Sequence, residues 1–227
     1  MDTHLVPPAQ QVLRNLAIVW SDFSRRLIRV PIIARLESGQ WRLEDYHLML
    51  RDHRAQVMEG SRWIAQAAAS IDGRHAALRS MFIGHAAAEH RDFEMLGRDY
   101  VASGGNAADL AVPRRNLGSE ALSAWMFHRA GQPNPFDLLG AMFIIEGLGR
   151  EFARHFAETI RETLGLTPDE VSFYFYHAAH DAEHLDELQQ ALEMGVLEAD
   201  GMADAIVHTA RVTARLYLLQ LEEMGNY

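Results

Sequence analysis

Three residues near the C-terminal end, His177, Asp181 and His184, recur as H-x3-D-x2-H within VSFYFYHAAHDAEHLDE at 171–187. A helix advances about 100° per residue, so these three fall within roughly 60° of arc on one face. Imidazole and carboxylate together suit iron, zinc or manganese. One helical stripe cannot close a coordination sphere, so other elements must supply facing ligands.

Two other stretches carry suitable groups. His85, Glu89 and Asp92 repeat the same four-then-three interval, as H-x3-E-x2-D, and so are expected to share one helical face. Glu146 follows the apolar run LLGAMFII directly, where an ionised carboxylate is costly unless paired or metal-bound. Gly147 and Gly149, in FIIEGLGRE, would let another helix approach closely. Three helices would then each present acidic or imidazole groups inward, the logic on which di-iron carboxylate bundles are built.

Structural readings compete at each position. HAAHDAEHLDE could be a solvated face with ordinary i,i+4 pairs, and Glu89 and Asp92 lie in the polar run AEHRDFE. Against this, the preceding VSFYFY is apolar and aromatic, and Glu183, Asp186 and Glu187 lie off the His177 stripe as its wet side. His180 sits at the edge of the stripe, either as a partner behind the ligands or as a core histidine. Glu59, in QVMEGSRW, is a further ligand candidate. Arg150 and Arg154, one and two turns beyond Glu146, could pair with a substrate carboxylate or form structural ion pairs. Tyr174 could line a cavity or pack in the core.

Composition narrows the chemistry. The chain has 227 residues, 48% of them hydrophobic, enough for one packed domain over residues 1–227. A net charge of −10, from 31 acidic against 21 basic residues, argues against nucleic-acid and anionic-membrane surfaces. There is no cysteine, which excludes disulfides, thiolate metal sites and cysteine nucleophiles; twelve histidines remain. MDTHLVPPAQ has neither the basic nor the apolar region of a secretory signal. The longest apolar run, Leu138 to Ile145, is far below the ~20 residues of a membrane span. A cytoplasmic protein is expected.

The spacing of apolar residues is helical throughout and predicts an all-α domain of about seven helices. The first runs from about Ala9 to Ile28, and Pro31 ends or interrupts it. The second covers about Leu43–Ile71, the third Arg74–Ala102 and the fourth Gly118–Ala130. In GQPNP, Asn134 reads as the N-cap and Pro135 as the first residue of a fifth helix reaching about Leu164. Thr167-Pro168-Asp169-Glu170 combines a proline with a capping box and starts the sixth helix, which Gly195 ends. The seventh covers about Met202–Met224.

These motifs resemble the heme-oxygenase-like diiron oxidases, also called the iron-containing redox enzyme family, whose fold is shared with thiaminase II and pyrroloquinoline-quinone synthase. His177, Asp181 and His184 look like the family's C-terminal ligand helix, and Glu146 in EGLGRE like its bridging or central carboxylate. HAAAEHRDFEMLGRDY at 85–100 is similar to the earlier ligand helix. There the chain departs from the pattern: Glu89 is followed three residues later by Asp92, where the family commonly has histidine. Asp92 or His85 would have to replace it, or the second site is weak.

The resemblance implies a heme-oxygenase-like bundle over about residues 10–225 and one or two iron ions held by Glu89, Asp92, Glu146, His177, Asp181 and His184. It implies dioxygen as co-substrate and oxidation of a small amine, amino acid or fatty acid by N-oxygenation, desaturation or C–C cleavage. It is also compatible with a homodimer. Two other readings stand beside it. One is a metal-free enzyme on the same scaffold, for which the missing cysteine removes a thiaminase nucleophile. The other is a non-catalytic helical binding protein with a vestigial site.

Overall fold

Long amphipathic segments with few internal breakers leave little choice but helix, and every regular element of the described residues is helical. The computed structural model describes residues 8–224, apart from the side chains of residues 181–186. In chain order the α-helices are α1 (Pro8–Leu27), α2 (Pro31–Glu37), α3 (Leu43–Ser70), α4 (Ala76–Glu89) and α5 (Asp92–Ala102). They continue with α6 (Leu117–Ala130), α7 (Leu138–Leu148), α8 (Arg154–Leu164), α9 (Ser172–Glu193) and α10 (Met202–Glu222).

Three interruptions separate these ten segments from the seven expected. Pro31 not only ends the first helix but opens α2, because proline at the first helical turn loses no hydrogen bond. The third expected helix breaks at His90–Arg91 into α4 and α5. The fifth changes winding at Gly149–Ala153, a π-helical turn between α7 and α8. Such one-residue insertions alter which side chains face inward beyond them.

Asn134 does not cap the fifth helix. Its φ of 48° is a conformation asparagine tolerates. Its Oδ1 accepts from the Asp72 N–H at 2.8 Å, and its own N–H donates to the Ser70 carbonyl at 3.0 Å. Asn134 therefore ties the 131–137 turn to the end of α3, and α7 begins only at Leu138. The capping box at 167–170 forms as expected, with the Thr167 N–H donating to Glu170 Oε2 at 2.7 Å.

The bundle closes around α7, which is apolar on nearly every side and buried along most of its length. Two glycines permit this. A Cβ on Gly140 would lie 2.0 Å from the Ile206 carbonyl oxygen of α10, and one on Gly147 would lie 2.7 Å from the Trp20 ring of α1. The close approach expected at Gly147 is thus present. No helix of the described residues is long and apolar enough to cross a membrane.

Candidate metal centre

The central position of α7 puts Glu146 in the interior, 5% exposed, opposite the last two turns of α4. There His85 Nε2 lies 3.2 Å from Glu146 Oε1, and Glu89, one turn after His85, joins them. One donor atom from each of His85, Glu89 and Glu146 can be chosen so that all lie within 4.8 Å of one another. The other His85 ring nitrogen, Nδ1, is 3.9 Å from Glu187 Oε2 of α9. A carboxylate behind an imidazole is the usual device that fixes the orientation of a metal-binding histidine.

A second group of three forms on the other side of Glu89, from Glu89, Asp92 and His177, within the same 4.8 Å. Asp92 Oδ2 and His177 Nε2 are 3.3 Å apart. This group spans the break at residues 90–91, with Glu89 the last residue of α4 and Asp92 the first of α5. Asp99, two turns along α5 from Asp92, holds the start of α9. Its Oδ1 accepts from Ser172 Oγ at 2.6 Å and its Oδ2 from the Phe173 N–H at 2.9 Å. His177 follows one turn later, its ring 4.3 Å from that of Phe173. Tyr46 of α3 adds a third fixing, its hydroxyl donating to the Glu170 carbonyl at 2.7 Å.

Three carboxylates, from Glu89, Asp92 and Glu146, thus converge with two imidazoles. Burial, with the charge of Glu146 beside it, pushes the Glu89 carboxyl up to about 7. Burial works to lower His85, but Glu146 and Glu187 outweigh it and raise the imidazole to about 10. Oxygen and imidazole donors at this spacing, with mutual repulsion between acids, are what a divalent cation relieves. The residues present fit iron.

A cavity of about 120 Å³ opens against this cluster, touching Glu89, Glu146 and His177. Its walls are mostly apolar, including Trp41, Trp63, Ile145, Phe156, Ile160 and Leu221. Gly149 and Ala153, at the two ends of the π-helical turn, also face it and leave it room. Tyr174 both packs in the buried core and lines the cavity. His53 lines it too, bonded through Nε2 to the Tyr217 hydroxyl at 3.3 Å. Burial, and then the nearby charge of His177, lowers His53 to about 3, so it is neutral.

Several expected residues are elsewhere. Glu59 is held by Arg62 at 2.9 Å and by Arg115 from the loop before α6, so it is an ion-pair carboxylate outside the cluster. His180 is exposed, stacked on Tyr176 at 4.2 Å and bonded through Nδ1 to the Tyr176 carbonyl. Arg150 and Arg154 are exposed and do not line the cavity; Arg154 lies 4.0 Å from Glu158. Asp181 and His184 lie outside the described side chains. Glu187, expected on the wet side of α9, is half-exposed there and also lies 3.9 Å from His85 Nδ1, a contact that only its place one turn after His184 could signal.

Comparison with known proteins agrees with this architecture. A crystal structure from Shewanella denitrificans OS217, of a domain of unknown function with a heme-oxygenase-like fold, superposes with a TM-score of 0.83. It is 20% identical and the match covers 96% of this chain and 91% of that one. A TenA homologue from Pseudomonas syringae pv. tomato DC3000 gives 0.74 at 16% identity, over 97% and 93% of the two chains. A TenA homologue from P. horikoshii OT3 gives 0.71 at 16% identity, over 97% and 99%. These likenesses establish the heme-oxygenase-like fold. No curated protein matches the sequence. The sequence pattern described as iron-containing redox enzyme matches residues 83–218, more than half of the chain and every residue of the cluster, so the protein belongs to that family.

Proposed function

We propose that the protein is a non-haem di-iron enzyme that uses dioxygen to oxidise a small organic molecule held in the apolar cavity. The observation that carries this reading is Glu89, one carboxylate common to two groups of donors. His85, Glu89 and Glu146 would hold the first ion, and Glu89, Asp92 and His177 the second. Asp181 and His184 stay in the proposed set through their spacing from His177. Iron bound there supplies dioxygen binding and the electrons for its reduction.

The chain's own residues supply the rest. Glu187 keeps the His85 ring turned toward Glu146. The aromatic and aliphatic walls exclude water and hold the substrate against the cluster. Neutral His53, beside His177, adds no charge that would compete with an ion. A cytoplasmic location and a homodimer complete the reading; they rest on the sequence and the family resemblance.

Anaerobic loading with Fe(II), metal analysis and optical spectra on exposure to air test it. About two irons per chain are expected for the wild type, as in other di-iron carboxylate bundles. The reading fails if no iron is retained and the spectra of wild type and His177→Ala are the same. A metal-free enzyme is the second reading, favoured by the 97% coverage of this chain by the TenA homologues. Without cysteine it could not use a thiol nucleophile. Turnover that survives a strong chelator would select it.

A further inference from the structure

The cavity wall carries polar groups that the cluster does not use. Gln220 of α10 lines the cavity and is 0% exposed, and among the described residues neither its amide oxygen nor its amide nitrogen has a hydrogen-bond partner. Gln56 of α3 also lines it, 9% exposed, with Oε1 unpartnered. His53 lies one turn before Gln56 and Tyr217 one turn before Gln220, and these two are bonded to each other, leaving His53 Nδ1 unpartnered. A buried amide with both ends unsatisfied is costly, and native interiors keep one where something else completes it.

What completes it is constrained by charge. Among the described residues no arginine lines the cavity, and all 21 basic residues of the chain are arginine. The carboxyls on the wall, Glu89 and Glu146, are acidic; of its histidines, His53 is neutral and His177 belongs to the cluster, where it faces Asp92. An anionic group held away from the cluster would therefore be desolvated with no cation to pair with it. A neutral group with both a donor and an acceptor meets no such penalty, and an amide is the natural complement of an amide.

We propose that Gln220 and Gln56 form the recognition end of the cavity, and that they bind an uncharged hydrogen-bonding group, a carboxamide or alcohol, on an otherwise apolar molecule. The carboxylate of an acid does not occupy this end. Binding there depends only on the cavity wall; placing the reacting carbon near Glu89 rests on the di-iron reading above.

The test uses the full chain stripped of metal, with the fluorescence of Trp41 and Trp63, which line the cavity, as the readout. Hexanamide, hexanoate and ethylbenzene are the probes, at pH 8. Hexanamide is expected to bind at least about tenfold more tightly than hexanoate. Gln220→Leu is expected to weaken hexanamide about tenfold and to leave ethylbenzene within about twofold. A residue that merely filled space would move both probes together. The proposal is overturned if hexanamide shows no saturable binding, if hexanoate binds as well, or if Gln220→Leu leaves hexanamide unchanged. Should Gln220→Leu fail to fold, Gln56→Leu and the wild-type amide-to-acid ratio decide the matter. Iron content is measured separately in both proteins. Failure of both to take up iron on anaerobic loading sinks the di-iron reading and leaves the probe preference standing, whereas iron uptake without a preference for hexanamide sinks only the recognition end.

Discussion

The two groups of donors that meet at Glu89 are held in different ways. His85, Glu89 and Glu146 come from α4 and α7, two regular helices, and α7 is gripped by Gly140 against α10 and Gly147 against α1. Glu187 stands behind the histidine. Glu89, Asp92 and His177 are assembled across a helix break and depend on Asp99 to hold the start of α9. The first group is set by close-packed backbone, the second by side-chain hydrogen bonds. Packed interiors have few alternative arrangements, whereas a capped terminus can fray. The first group is therefore expected to bind iron more tightly, and the second to be where the chain adjusts.

The largest effect belongs to the residue the two groups share. Glu89→Ala is expected to abolish retention of both ions, measured by metal analysis after anaerobic loading. If one iron survived, the shared carboxylate would lose its central role. Asp92→Ala separates the groups: about one iron per chain should remain, since a helical di-iron site has ligands on both sides. Loss of both irons in Asp92→Ala would show that the groups are not independent.

Glu187→Gln probes the first group alone. Removing a carboxylate behind a metal-binding histidine costs roughly tenfold or more in affinity. That loss is expected at the tighter of two steps in an anaerobic Fe(II) titration. A change at the weaker step would reverse the assignment.

In metal-free protein the same residues give a pH dependence of stability. His85 is raised from 6.5 to about 10, so its contribution is fully present below 6.5 and is lost as pH rises toward 10. Glu89 is raised from 4.5 to about 7, so its ionisation penalises the folded state as pH rises across that interval. Both have the same sign, and the melting temperature with chelator present should fall from pH 5 to pH 9.5. His85→Gln should flatten the upper part and Glu89→Gln the lower. Iron affinity should rise over the same range, because the ligands must lose their protons.

The helices were legible because apolar residues recur at helical spacing, and the 167–170 capping box because it is strictly local. Glu89, Glu146 and His177 could be read as candidates because acids and histidines stand out beside apolar runs. The break at His90–Arg91 was hidden: EHRDFE contains neither glycine nor proline, and three-dimensional contacts decide the winding there. Glu59 misled because its partner Arg115 lies in a distant loop. Gln56 and Gln220 give no signal in the sequence because an amide carries no charge, and only burial without partners among the described residues singles it out.

Asp99 should give the smallest effect and the most selective one. It is fully buried and accepts from both the side chain and the backbone at the start of α9, one turn before His177. Removing a buried acceptor and leaving its donors unpaired costs about 1–3 kcal/mol of stability. Asp99→Ala should therefore lower the melting temperature modestly without unfolding the protein. His177 would lose its fixed starting point while His85, Glu89 and Glu146, on α4 and α7, keep theirs. The weaker iron step should weaken further, by a few-fold, with the tighter step unchanged. Equal loss at both steps would mean that α9 positions the whole cluster through Glu187 as well as through His177, and the contrast between a packed half and a hydrogen-bonded half would fall.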